Sequence, residues 1–206
     1  MGNVKPIDRR ILRTRGMIGD AFLDVLAERS FDSISVLDVA ERANINRSTF
    51  YAHYRDKEEL LESMIEDKLQ LLTDSLKAEA LRAASPVGGG AIPDEPDSFL
   101  VTLFQHIFEN GKFYRILFSQ EGLRFAEKLY DRVREGLYTR IAGLHMEQKL
   151  LVQMDILLDY SSSAIVGIAR KWLENGMVYS AAYMALQLSR IAALGTDQAM
   201  GVHMER

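Results

Sequence analysis

Between residues 31 and 60 the chain gathers side chains suited to gripping a polyanion and reading a polar edge: Arg47, Ser48, Thr49, Tyr51, His53 and Lys57. If Phe50 points inward, a helical step of about 100° per residue turns Ser48 and Ala52 outward, with Thr49 and Tyr51 on the flanks. Arg47 then leads from the N-terminal end. That outward set is small, polar and singly basic, as a helix lying in a DNA major groove requires. Arg47, Ser48 and Thr49 are therefore the candidates for base edges. Ser35, Tyr51, His53 and Lys57 are the candidates for phosphate oxygens. Lys57 opens a further helix, where the free amides and the positive end of the dipole also suit a phosphate.

The elements that must hold these groups are legible around them. Ser35 followed by Asp38 is a helix start with a side-chain oxygen for the orphan amides. Val36, Leu37, Val39, Ala40 and Ala43 mark its inward stripe. Asn44 falls where that helix must turn, and after Gly it best tolerates a left-handed backbone. Ile45 plugs the corner, and Asn46 can cap a second helix from Arg47. Asp56 and Glu59 form another capping pair. Two short helices joined by a tight turn make a helix-turn-helix. The alternative is a plain helical hairpin, which leaves Arg47, Tyr51, His53 and Lys57 without a common purpose.

The stretches F-D-x-I-S-V, D-V-A-E-R-A-N-I-N, S-T-F-Y-x-H-Y and D-K-E-E-L, in unbroken order, resemble the TetR family of bacterial transcriptional regulators. The resemblance is close over about fifty N-terminal residues and rests on length and helical pattern beyond them. It departs at Asn44, where the family usually has Gly. It implies an all-α fold: an N-terminal three-helix helix-turn-helix head joined by a long helix to a C-terminal helical bundle. It divides the chain into a DNA-binding domain at 1–57 and a ligand-sensing and dimerisation domain at 58–206. The function implied is a homodimeric repressor on a near-palindromic double-stranded operator, released by a small apolar ligand. A coactivator, or a regulator of the same fold that works through a protein partner rather than directly on DNA, is the alternative.

Composition is compatible with this. The net charge is −4, yet residues 1–57 hold ten Lys/Arg against eight Asp/Glu, and the remaining 149 hold fifteen against twenty-one. The acidic excess thus lies away from the segment that would meet phosphates. There is no cysteine, which excludes disulfides, thiolate metal sites and cysteine nucleophiles. No signal-peptide pattern or apolar run of about 20 residues suggests a membrane, and a cytoplasmic location is expected. No nucleophile, base and orienting group fall into a catalytic pattern, so no enzyme, cofactor or metal is expected; His106 with Glu109 is an i, i+3 pair of the kind common by chance.

The rest of the chain reads as helices. A first one, from Asp8 to about Arg29, carries Ile11, Leu12, Ile18, Ala21, Phe22, Val25 and Leu26 at helical period. Its arginines (Arg9, Arg10, Arg13, Arg15) suit either solvent or the DNA backbone. A long helix runs from Lys57 to about Ala84, and the Pro/Gly-rich stretch at 85–96 ends it. Helices follow over about 97–110, 122–143, 152–175 and 180–194, with a short apolar piece at 113–118 and a frayed tail from Gly195. Between Asp159 and Arg170 there is no charged residue, so that helix asks for burial on all sides. A second copy is the economical cover, with Ala164, Ile168 and Trp172 in the seam. Aromatic residues crowd the second half, and Phe104, Phe108 and Tyr138 are the candidates for a ligand cavity wall.

Overall fold

The computed structural model describes residues 9–82, 92–144 and 150–200. It is all-helical over those residues and forms two compact units, Met1–Lys68 and Leu69–Arg206. The expected N-terminal arm, most of the loop at 85–96 and the end of the tail lie outside the described residues.

The first unit holds α1 (Arg9–Glu28), a 3-10 turn (Phe31–Ser33), α2 (Val36–Arg42), α3 (Arg47–Tyr51) and the start of α4 (Lys57–Arg82). Its core is built by Ile18, Phe22 and Leu26 of α1, Val39 and Ala40 of α2, Phe50 of α3, and Leu60 and Ile65 of α4, all essentially sealed from solvent. Ile11, Leu12 and Leu37, expected inward, are instead about half exposed. Ile11 and Leu12 sit in the first turn of α1, ahead of Ile18 where burial begins, and Leu37 lies on the edge of its stripe. Helical period locates a face but not where along the helix a neighbour starts to cover it.

The second unit takes the remainder of α4, with Leu69, Leu72, Leu76 and Ala80 buried, and then five helices. These are α5 (Ser98–Glu109), α6 (Gly111–Ser119), α7 (Phe125–Gly143), α8 (Met154–Glu174) and α9 (Ala181–Ala199). Helix α5 packs on α9, and α8 packs on both α7 and α6. Two boundaries differ from expectation. Helix α7 begins three residues late, because Glu121–Leu123 makes a 3-10 turn and Arg124 takes a left-handed backbone at φ 49°. Helical turns continue past Leu194 to Ala199, across a break at Gly195 with φ 72°.

Close packing sets the register of α7. A Cβ on Gly136 would stand 2.9 Å from the Phe99 ring and 3.4 Å from Leu76 Cβ, so only glycine fits between those side chains without displacement.

Candidate nucleic-acid interface

The entry to α2 is a closed capping box. Ser35 Oγ accepts the Asp38 N–H at 3.3 Å, while Asp38 Oδ2 accepts the Ser35 N–H at 2.8 Å and the Ser35 hydroxyl at 2.6 Å. Arg29 adds an ion pair to Asp38 at 2.9 Å. The Ser35 donors chiefly, and Arg29 after them, hold the Asp38 carboxyl well below the usual carboxylate range. Ser35 stays exposed, so its hydroxyl stands on the surface at the helix N-terminus.

At the corner, Asn44 takes the left-handed conformation its side chain tolerates, with φ 52°. The Ile45 N–H returns to Ala40 carbonyl at 3.0 Å, and Asn46 Oδ1 accepts the Ser48 N–H at 3.1 Å, capping α3. Phe50 anchors the short helix from beneath, wedged against the rings of Tyr51 and Tyr54 at 5.7 and 5.9 Å. This leaves Arg47, Ser48 and Tyr51 exposed, with Thr49 and His53 half-buried beside them. Arg47 leans along α3, its guanidinium 3.4 Å from the Tyr51 hydroxyl and 6.0 Å over its ring. The base-reading and phosphate candidates of α3 therefore share one outward face.

Lys57 differs from the expected free cation. Its ammonium donates to the carbonyls of Phe31 at 2.9 Å, Ile34 at 2.8 Å and Asp32 at 3.3 Å, and sits 4.6 Å over the Phe31 ring. All three of its protons are spent inside the head, bracing the turn that delivers Ser35. Arg15 is likewise turned inward, donating to the Tyr54 hydroxyl at 2.9 Å and to Ser63 Oγ at 2.8 Å while stacking over the Tyr54 ring. These two bracing roles have no sequence signal, because their partners lie 23 to 48 residues away. The start of α4 carries its own cap, with Asp56 accepting the Glu59 N–H and Glu59 accepting the Arg55 N–H, each at 2.7 Å.

In the second unit the three residues expected to wall a cavity stand in different settings. Phe104 is sealed in the core against Trp172, edge to face at 5.4 Å. Phe108 stacks on the outer side of Trp172 and is 48% exposed, and Tyr138 is 52% exposed. None of the three lines the cavity or the groove that follow. A cavity of about 260 Å³ lies among α5, α7, α8 and α9, with Leu100, Leu137, Ile141 and Ile165 in its wall and Asp97 and Arg140 at its polar side. Of the expected dimer-seam residues, Ala164 is exposed and Ile168 half-buried, and both line an apolar groove of about 300 Å³ between α8 and α9. Trp172 is not available to that seam: it is buried within the chain, its indole N–H donating to Tyr179 carbonyl at 3.0 Å. Among the described residues no helix is long and apolar enough to cross a membrane, and no group of three or more His, Cys, Asp or Glu could hold a metal ion.

The sequence matches two family models: bacterial regulatory proteins of the tetR family over residues 18–64, and a transcriptional regulator C-terminal region over 94–193. It is 31% identical over 176 residues to the uncharacterized HTH-type transcriptional regulator YxbF of Bacillus subtilis (strain 168). That match takes in 85% of the chain and 43% of the relative, so the chain spans under half of that relative's length. Among solved structures, a putative TetR-family transcriptional regulator from Syntrophomonas wolfei superposes with TM-score 0.64 at 16% identity, over 89% of this chain and 96% of that one. The dihydroxyacetone kinase operon activator DhaS superposes with TM-score 0.55 at 23% identity, over 86% and 92%. At such identities these two likenesses speak for the fold alone.

Proposed function

The chain belongs to the TetR family of bacterial regulatory proteins, and from that premise we propose that it is a transcriptional regulator acting in the cytoplasm as a homodimeric, ligand-released repressor. The observation that carries this reading is the α3 face, where Arg47, Ser48 and Tyr51 stand exposed on a short helix fixed by the Asn46 cap and the Phe50 anchor. In this reading residues 1–57 bind DNA and 58–206 sense and dimerise. Arg47, Ser48 and Thr49 address bases, while Ser35, Tyr51 and His53 address phosphates. Lys57 contributes by bracing the turn before Ser35, and only by leaving its three carbonyls could it meet a phosphate itself.

A second copy would cover the apolar groove of α8 and α9, where Tyr160, Ala164, Ile168 and Ile191 are left partly or wholly uncovered. Two α3 helices would then meet half-sites about one helical turn apart, or a multiple of it. Helix α4 is unbroken from Lys57 to Arg82, so a ligand that shifts its C-terminal end alters the placement of the segment that starts at Lys57. A coupling of about 1–3 kcal/mol changes affinity roughly 5–150-fold.

The test is direct binding to the DNA upstream of its own coding sequence, followed by fluorescence anisotropy across a salt series. Arg47→Ala is expected to relax preference at one or two base positions and to cost about 1–3 kcal/mol on the preferred site. Wild-type protein that binds no DNA sequence in preference to any other would overturn the reading. It would favour the partner-dependent alternative, for which the internal engagement of Lys57 is the supporting observation, since it withdraws one cation from phosphate contact.

A further inference from the structure

The cavity of the second unit carries a charged pair in an otherwise greasy wall. Arg140 of α7 grips Asp97 with two parallel hydrogen bonds, Nη1 to Oδ1 and Nη2 to Oδ2, and the side chains are only 13% and 8% exposed. Around them stand Phe99, Leu100, Leu137, Ile141 and Ile165. Burying an ion pair in such surroundings is a poor way to gain stability, because desolvation offsets much of the attraction. Its position in a cavity wall therefore calls for another reason.

The two partners are not equally committed. Asp97 is held from several directions: Oδ1 accepts the N–H groups of Phe99 and Leu100 as the cap of α5, and its own N–H donates to Ser189 Oγ of α9 at 2.8 Å. Oδ2, by contrast, accepts from Arg140 alone, so the guanidinium must keep hold of Asp97 while it serves a second group. The Arg140 guanidinium, among the described residues, hydrogen-bonds no group other than Asp97, which takes two of its five donors. The cavity thus presents unspent, charge-bearing donors in a planar fork, the geometry that matches a carboxylate. A cationic head would instead meet the positive guanidinium, beside an acid whose charge that guanidinium already neutralises.

We propose that this cavity binds a small monocarboxylate with a short apolar body, the carboxylate held by the guanidinium of Arg140 and the body lying on Leu100, Leu137, Ile141 and Ile165. The proposal rests on the reading of residues 58–206 as a ligand sensor and names the class of ligand. The volume of about 260 Å³ limits the body to a short chain or a single ring. Leu100, Ser161, Ile165 and Ala192 line both this cavity and the groove between α8 and α9, so the tail of such a ligand lies against the surface that a second copy would cover. Occupancy and dimer geometry are thereby coupled through shared side chains.

The experiment uses the full chain and three probes of equal length: octanoate, 1-octanol and octylamine, each titrated by calorimetry and by thermal shift at constant ionic strength. Octanoate is expected to bind at least tenfold more tightly than 1-octanol, and octylamine not at all. Asp97→Asn keeps an α5 cap and removes the competing charge, so it is expected to tighten octanoate at least tenfold and leave 1-octanol unchanged. Arg140→Gln combined with Asp97→Asn is expected to abolish the difference between octanoate and 1-octanol. Equal binding of the two by wild type, preference for octylamine, or no binding of octanoate each overturns the proposal, and these comparisons stand even if a variant fails to fold. Sequence-specific DNA binding measured on the same wild-type sample is independent of all three probes. Its retention in the face of a negative result leaves the regulator reading intact while removing the carboxylate, and its absence removes the regulator reading itself.

Discussion

Replacing Lys57 by Met keeps the aliphatic stem that covers Phe31 and deletes the charge that holds three carbonyls. Two of those bonds, to Phe31 and Ile34, are short and partly buried, and the third, to Asp32, is longer and exposed. A hydrogen bond from a charged donor contributes about 1.5–3 kcal/mol, and the contact over the Phe31 ring adds about 0.5–1 kcal/mol. Against this, the freed side chain recovers up to about 2 kcal/mol of rotamer entropy, and water can reach part of what the ammonium leaves. The balance is a loss of about 2 kcal/mol, confined to the turn before α2, or roughly thirtyfold in local opening. Amide hydrogen exchange over residues 30–46 reads it, with the second unit as internal control. DNA affinity is expected to fall through a loosened Ser35 while the salt dependence keeps its slope. Unchanged protection at 30–46, together with a salt slope reduced by about one, would show that Lys57 works on a phosphate and refute the bracing role.

Acid should loosen the same region. The depressed Asp38 carboxyl gives stability that is fully present above the unfolded value near about 3.9 and is lost as pH falls towards the lower folded value, so the advantage of wild type over Asp38→Asn should shrink progressively below about pH 4, as followed by circular dichroism. Gly136→Ala forces a methyl into the Phe99 ring and is expected to cost about 1–3 kcal/mol in urea unfolding, with little change in the head. Ile168→Glu places a charge in the apolar groove of α8 and α9 and should turn a sedimenting dimer into monomer; wild type and variant that both sediment as monomers would remove the proposed seam.

The parts of the head that were legible in the sequence are those set by neighbours within one or two turns. Ser35 and Asp38, Asn44, and Asn46 before Ser48 are local arrangements, and each stands as its spacing suggests. Phe50 was legible because its anchoring follows from the period of one short helix. Lys57 and Arg15 were not, since a long cation reaches whatever acceptor tertiary packing brings near, and nothing adjacent marks that choice. The same limit explains the second unit. Trp172, Phe108 and Tyr138 sit on stripes of the expected period, but which edge of a stripe is sealed depends on helices far away in sequence, α9 against α5 and α8 against α7. The pair formed by Asp97 and Arg140, 43 residues apart, is invisible to any window of sequence.

The inward turn of Arg15 also says something about the order in which the head comes together. The capping box, the Asn44 corner and the α3 cap link residues at most five apart, so they close small loops at little entropic cost. The bonds from Arg15 to Tyr54 and Ser63 span 39 and 48 residues and can form only when α1 has met the start of α4. A chain wired this way can assemble its DNA-reading corner from contacts of short range and fasten it to the rest last. On such a path, weakening the Arg15 clasp changes how quickly the finished head comes apart far more than how quickly it is made.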